Sequence, residues 1–377
     1  MTHVDVAVNL LWLAPGRVGG SEEYLVRQLA GVTDSRLALT LYTQPSFPAA
    51  HPGLADAHRV VAAPLRRDWR PLRIAAEHTW LARRARHATV VHHGGGTAPA
   101  DVLGRGRRTL VTVHDLQYTA FPEYFSASRL AYLRATMPGS IRRATVVATP
   151  SEYVRGRVVD VFGRDPDSVV VVPHGVPAGG APSADEIDAA LAQHGVRRPY
   201  VVYPAITHPH KGHAVLVDLV RAAAALGHPL HDVQVVLTGG TGAAEPELLA
   251  AVAADSHVAG RIVRTGRVPA AERDALIAGA EALVFPSEYE GFGAPVVEAM
   301  ALGVPVVASD HPALVEVLGG AGVVVAGRDP EAWAVAVADA VDRRAELAAA
   351  GAARRQMFTI ARSGTALATA YHQAAQG

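Results

Sequence analysis

The sequence predicts an α/β protein of two Rossmann-like, doubly wound domains facing each other across a cleft, and three observations carry that expectation. The 377 residues exceed one ordinary domain and suffice for two cores of similar size. Short Val-rich runs alternate with Ala-rich stretches of helical length, the pattern of parallel strands joined by crossover helices. The alternation stops at Val-Pro-Ala-Gly-Gly-Ala-Pro-Ser, residues 176–183, and then begins afresh, which marks a linker.

In the first half the strands are expected at 4–11, 37–43, 59–62, 89–92, 109–114, 145–148 and 169–172. Their apolar runs are continuous, as for strands covered by helices on both faces. In the second half they are expected at 200–203, 233–237, 261–264, 282–285, 304–308 and 323–325. From about 330 to 375 the chain reads as helix, broken at Gly351 and Gly364. The domains are expected at 1–178 and 179–352, with a helical segment at 353–377. Such folds bind ligands beyond the carboxyl ends of their strands, so chemistry-bearing residues should follow strands directly.

Composition excludes several classes. Half the residues are hydrophobic, 6% aromatic and 19% charged, unlike a disordered or collagen-like chain. The absence of cysteine removes disulfides, thiolate metal sites and a cysteine nucleophile. No apolar run approaches the roughly 20 residues of a membrane span, and Met1-Thr2-His3-Val4-Asp5 does not begin a secretory signal. A cytoplasmic protein is expected. The sole Lys, Lys211, is followed by Gly212 and His213, so there is no phosphate loop of the Walker type. Gly240-Thr-Gly242-Ala-Ala-Glu245 lacks the third glycine of a dinucleotide fingerprint, and no Gly-x-Ser-x-Gly occurs. Asp165-Pro-Asp167 precedes a strand and reads as a turn, not as a metal-binding Asp-x-Asp. No nucleic-acid partner is expected.

The net charge of zero hides an asymmetry: residues 1–180 carry +7 and residues 181–377 carry −7. Eight arginines fall between 59 and 86. The stretch at 66–86, with Arg66, Arg67, Arg70, Arg83, Arg84 and Arg86, is expected either as a solvated face or as a basic surface. As a basic surface it would make peripheral contact with anionic membrane at the inner face, or bind an anionic acceptor. Pro71 is expected to interrupt any long amphipathic helix there. Of 35 basic residues, 34 are arginine and one, Lys211, is lysine.

The most informative segment is Phe285-Pro-Ser-Glu-Tyr-Glu290-Gly291-Phe292-Gly293-Ala-Pro-Val-Val-Glu298. A strand enters a Gly-containing loop that opens a helix, with Glu298 expected on its first turn. Outward backbone N–H groups at a helix start suit a diphosphate or sugar hydroxyls, and carboxylates accept hydrogen bonds from vicinal hydroxyls. Lys211, in Tyr203-Pro-Ala-Ile-Thr-His-Pro-His-Lys211-Gly-His, follows the first strand of the second half, where a compact cation can neutralise a leaving diphosphate. His208, His210 and His213 lack the helical spacing of a metal pair. In the first half, a strand ends at His114-Asp115, with Tyr118 close behind. Gly19-Gly20-Ser21-Glu22-Glu23 reads as a helix start with Ser21 as N-cap.

Glu290 and Glu298, with seven residues between, resemble the E-x7-E motif of retaining GT-B glycosyltransferases of family 4 (glycosyl transferases group 1). The flanking Pro-Ser, the run Ala299-Met-Ala-Leu-Gly-Val-Pro-Val-Val-Ala308 and His114-Asp115…Pro122 match the same pattern. The resemblance implies a GT-B fold with an acceptor domain, a nucleotide-sugar donor domain and a last helix packed back on the first. It implies retaining transfer of a hexose from a nucleotide diphosphate sugar, with GDP-mannose favoured, to a glycan, lipid-linked or small-molecule acceptor, without metal or other cofactor. It assigns catalysis to Glu290, His114 and Lys211, and donor binding to Gly20, Lys211, Val268, Glu290, Gly291, Phe292, Gly293 and Glu298. Acceptor contacts fall to Asp115 and Tyr118. One departure stands out: Ala205 and Ile206 lie where the family places an Arg upstream of the Lys. The competing expectations are an epimerase-like GT-B enzyme and a catalytically silent nucleotide-sugar-binding protein.

Overall fold

A computed structural model describes residues 3–16, 19–65, 70–99, 107–177, 179–226 and 229–377. The chain divides into two compact units, residues 1–175 with 358–377, and residues 176–357. The break at 176 lies at the expected linker. After it, Ser183 accepts a hydrogen bond from the Glu186 amide while the Glu186 carboxylate accepts from the Ser183 amide. That capping box starts the helix Ala184–His194 by satisfying two end groups at once.

Among the described residues the first unit holds a seven-stranded sheet: β1 (Val4–Asn9), β2 (Leu37–Thr43), β3 (Arg59–Ala62), β4 (Val90–His93), β5 (Arg108–Thr112), β6 (Val146–Thr149) and β7 (Val169–Val171). The order is β3-β2-β1-β4-β5-β6-β7, and every pair is parallel. The second unit holds six strands: β8 (Tyr200–Tyr203), β9 (Gln234–Thr238), β10 (Ile262–Gly266), β11 (Ala282–Phe285), β12 (Val306–Ser309) and β13 (Val323–Val325). Their order is β10-β9-β8-β11-β12-β13, again all parallel. In each sheet the order reverses beside its first strand, between β1 and β4 and between β8 and β11. A doubly wound sheet leaves its crevice at that reversal, because the crossover helices on the two sides diverge there.

All thirteen expected strands are present, with ends moved by at most two residues. β1 ends before the fully buried Leu10 and Leu11 because the Asn9 side chain accepts the Leu11 N–H at 3.1 Å, drawing the chain out of the ladder. The helical tail differs more. Helices run Pro330–Asp342, Arg344–Arg354 and Ile360–Gln376, with a short 3-10 turn Arg355–Phe358. The breaks thus fall at 343 and 355–359, and both glycines lie inside helices. A β-carbon on Gly351 would sit 3.1 Å from Met300 Cγ, and one on Gly364 only 1.9 Å from the Gly31 carbonyl carbon. These glycines permit close packing and do not end helices.

The last helix is a core element of the first unit. Leu367, Ala370 and Tyr371 join the cluster formed by Val6, Val8, Leu25 and Leu29. The Tyr371 hydroxyl meets His92 Nδ1 at 2.8 Å, and His92 Nε2 meets Thr112 Oγ1 at 2.8 Å. Burial pushes this imidazole down to about 3, so it is neutral and one nitrogen accepts while the other donates. Ser363 Oγ donates to the Pro173 carbonyl at 2.5 Å. Among the described residues no helix is long and apolar enough to cross a membrane.

Candidate functional site

In the second unit, the loops after β8 and β11 flank the reversal and bring Lys211 and Glu290 together. Lys211 Nζ donates to Glu290 Oε1 at 2.6 Å, and Ser287 Oγ donates to the same oxygen at 2.6 Å. The pair is largely enclosed, at 18% and 12% side-chain exposure. Tyr203, the last residue of β8, donates its hydroxyl to the Lys211 carbonyl at 2.9 Å, fixing the backbone that carries the ammonium. The Glu288 amide donates to the His210 carbonyl at 2.8 Å and ties the two loops together. Gly212 makes that approach possible: its φ is +67° and a β-carbon would lie 2.3 Å from the Pro286 carbonyl oxygen.

Two of the histidines around Lys211 add no charge to it. Burial, reinforced by the Lys211 ammonium, holds His210 down at about 3. Burial, then Arg264 and Lys211, brings His213 to about 4. Both stay neutral at pH 7. Among the described residues no group of three metal-ligating side chains converges.

The next loop departs from expectation in the place of Glu298. Gly293 has φ +93° and precedes the helix Ala294–Ala301, whereas Gly291 keeps ordinary backbone angles. A β-carbon on Gly293 would meet Leu314 Cδ2 at 2.5 Å. The helix begins at Ala294, so Glu298 lies on its second turn, not its first. Glu298 is also buried, with Arg273 at 3.7 Å from its carboxylate. Phe292 is buried at 3% exposure, and Val268 lies in the loop after β10. Sequence reasoning assigns no role to Ser287, Tyr203, His311 or Arg273. His311 packs edge-on against Tyr289 and is pushed down by burial against the pull of Glu290. Ser287 does carry a signal, a hydroxyl three residues before Glu290 in the same motif; the others come close only through tertiary packing.

At Ala205 and Ile206 the upstream cation is absent, and Arg264 on β10 lies behind that loop. Its guanidinium pairs with Glu245 at 2.9 and 3.0 Å and donates to the Gly239 carbonyl at 2.6 Å. Thr207 Oγ1 donates to Glu245 as well and accepts the Gly242 amide at 2.7 Å. The network clamps residues 205–208 to the 239–245 turn. A β-carbon on Gly239 would sit 2.1 Å from the Ala205 carbonyl oxygen. The segment that leads into Lys211 is therefore braced from beneath.

In the first unit, His114 follows β5. Its Nε2 lies 2.8 Å from the Gly94 carbonyl, which only accepts, so Nε2 carries the proton and Nδ1 is the acceptor. Burial keeps the ring neutral, and it lies against Trp12 and Tyr24 with centroids 5.8 and 5.3 Å away. Asp115 is exposed and accepts the Gln117 amide at 3.0 Å, and Tyr118 is buried. His114, Asp115 and Tyr118 border one cavity of ≈ 430 Å³, with Ser21, Asn9 and Gly95. Gly20 is the first residue of the helix Gly20–Ala30, and its N-cap is Gly19 at φ +73°, not Ser21. Glu22 instead reaches back to accept the Gly16 amide at 2.8 Å and contacts His51 at 2.9 Å.

The basic stretch is also organised differently. Residues 66–69 lie outside the described residues. Pro71 is the second residue of a helix that runs from Arg70–Ala76 through a π-helical turn Glu77–Leu81 to Arg84, because proline is tolerated in a first turn. Trp80 packs edge-on to Tyr42. Arg70, Arg73 and Glu77 line the cavity beside His114.

Burial pushes the Glu77 carboxyl up to about 7, against Arg73 and Asn9. The folded state thus holds a proton that the unfolded chain has released, and stability falls as pH rises through the interval up to about 7. Thermal melts should show Glu77→Gln losing that decline, with the variant more stable than wild type at pH 8 and equal to it near pH 4. Parallel curves for the two proteins would contradict the burial argument.

Comparison with known proteins adds to this geometry. Residues 198–343 match the family model described as "Glycosyl transferases group 1", and residues 18–179 match "Glycosyltransferase Family 4". The chain is 29% identical over 275 residues to the O-antigen chain mannosyltransferase B of Escherichia coli, covering 71% of each chain. It is 33% identical over 280 residues to the GDP-mannose-dependent alpha-(1-6)-phosphatidylinositol monomannoside mannosyltransferase of Mycolicibacterium smegmatis, covering 69% of each. Among solved structures, Anabaena HepE in complex with UDP-glucose superposes with a TM-score of 0.74 at 20% identity, over 97% of this chain and 99% of that one.

Proposed function

The chain belongs to the group 1, family 4 glycosyltransferases of GT-B fold, and on that premise we propose that it moves mannose from GDP-mannose, with retention, to an acceptor hydroxyl. Transfer of a glycosyl group follows from the family; the donor, the stereochemistry and the metal independence are our reading. The observation that carries it is the 2.6 Å Lys211–Glu290 pair at the sheet reversal, beside a helix start. An ammonium there can take up charge on the departing diphosphate, and Glu290 can hold a sugar hydroxyl once a donor competes for Lys211. Glu298 suits the nucleotide ribose, and the amides at Phe292 and Gly293 suit sugar and phosphate oxygens. The names of the mannosyltransferase relatives support GDP-mannose and a glycan or lipid-linked acceptor. Arg83, Arg84 and Arg86 are solvent-facing, so peripheral seating on anionic lipid would fall to them.

A thermal-shift panel of nucleotide sugars tests the donor. GDP-mannose at about a hundred times its Kd should stabilise by about 2.7 kcal/mol, and UDP- and dTDP-sugars should not. Proton NMR of the product should show the donor's anomeric configuration, with turnover unchanged by EDTA. A larger shift with another nucleotide sugar would overturn the donor assignment, and an inverted product the stereochemistry.

A further inference from the structure

The ≈ 430 Å³ cavity of the first unit is rich in arginine. The helix beginning at Arg70 supplies Arg70, Arg73 and Glu77, and the helix Ala127–Arg143 supplies Arg129 and Tyr132. The Arg70 guanidinium lies 4.6 Å from the Tyr132 ring centroid, and that of Arg129 lies 5.3 Å from the Phe125 centroid. Among the described residues neither arginine has a carboxylate in ion-pair reach. Stacking occupies the face of a guanidinium and leaves its N–H edge for an oxyanion. Arg73 is 3.8 Å from Glu77, too far for a hydrogen bond, and its buried Nε has no acceptor among the described residues.

Three arginines face two carboxylates there: Asp115, exposed and accepting the Gln117 amide, and Glu77, which burial drives toward its neutral form. Trp12, Asn9 and Thr97 border the same space, offering a flat apolar face and polar groups of the kind a sugar ring uses.

We propose that this cavity is the acceptor subsite and selects a phosphorylated sugar, its phosphate or diphosphate held by Arg70, Arg73 and Arg129 with the reacting hydroxyl toward His114 and Asp115. The proposal rests on the transferase reading above. A flat anionic surface would not need the cavity, and Arg70, Arg73 and Arg129 line a concave site.

Calorimetric titration of the full chain with mannose 1-phosphate and glucose 1-phosphate, each against the free hexose, tests it. A citronellyl diphosphate-linked hexose in detergent distinguishes a lipid-borne phosphate from a soluble one. The phosphorylated probes should bind at least about tenfold more tightly than the free sugars. Arg70→Ala/Arg129→Ala, at two exposed positions, should abolish that preference, and Arg70→Lys/Arg129→Lys should keep part of it. Glu77→Gln, which removes the carboxylate competing for Arg73, should tighten binding. The melting-temperature rise with nucleotide sugar, read on the same variants, reports donor binding separately, so a failed donor assignment and a failed acceptor proposal give different patterns. Equal affinity for phosphorylated and free sugars would overturn the proposal, as would no binding of any phosphorylated probe up to about 10 mM or an unchanged preference in the double alanine variant.

Discussion

Replacement of Lys211 by alanine is expected to lower glycosyl transfer by at least about a hundredfold, the usual scale for removing one group that stabilises developing charge. Two neighbouring histidines and Arg264 do not replace the ammonium. His210 and His213 are held neutral by burial, and Arg264 is engaged by Glu245 and the Gly239 carbonyl. The same substitution leaves Glu290 largely enclosed beside the Ser287 hydroxyl, without its cation, so stability should fall as well. Breaking a buried pair from one side costs about 3–5 kcal/mol, less here because the pair retains some exposure. Activity and stability can be separated. Lys211→Ala/Glu290→Ala removes the stranded carboxylate and should regain melting temperature while turnover stays at the level of the single variant. Lys211→Arg keeps the charge but adds bulk where Gly212 and Pro286 already touch, and should retain only part of the rate. Wild-type turnover in Lys211→Ala, or recovery of turnover in the double variant, would remove Lys211 from the chemistry.

That site is legible in the sequence because its determinants are local. Continuous Val-rich runs announce strands buried on both faces, and the residue after each strand falls at the carboxyl edge whatever the remaining packing. Lys211 and Glu290 can therefore be placed from sequence, and so can His114. The departures are of another kind. Ser21 has the residue type of a cap, but Gly19 at φ +73° opens the helix instead. Glu298 falls one residue beyond the first turn on which it is expected, because helix starts are weakly encoded when a glycine in the left-handed region, not a side chain, supplies the entry. The arginines near residue 70 resemble a solvated face, since nothing in the run tells which side of the helix turns toward Trp12 and Tyr132. Arg264 with Glu245 is a contact between a strand and a loop that no spacing reveals. The pattern of the chain sets its elements, while the partners across elements depend on how those elements dock.

Gly364→Ala is expected to destabilise the first unit by about 3 kcal/mol or more, the upper range for forcing an extra atom into packed structure, which lowers the melting temperature by roughly 10 °C at this size. The new β-carbon would lie 1.9 Å from the Gly31 carbonyl carbon and 2.0 Å from its oxygen, and main chain on both sides cannot rotate away as a side chain would. Gly31 ends the helix Gly20–Ala30, and its own β-carbon would lie 2.2 Å from the Ile360 carbonyl oxygen. The two backbones therefore meet glycine against glycine, and this crossing seats Leu367 and Tyr371 in the core. Helix propensity alone argues the opposite sign, because alanine is favoured over glycine in a helix interior by about 1 kcal/mol. Gly156, exposed within the helix Glu152–Phe162, has nothing within 4 Å of where a β-carbon would stand, and so isolates that preference. Gly156→Ala should raise the melting temperature while Gly364→Ala lowers it. Similar shifts of one sign in both would show that propensity, not the Gly31 crossing, governs position 364.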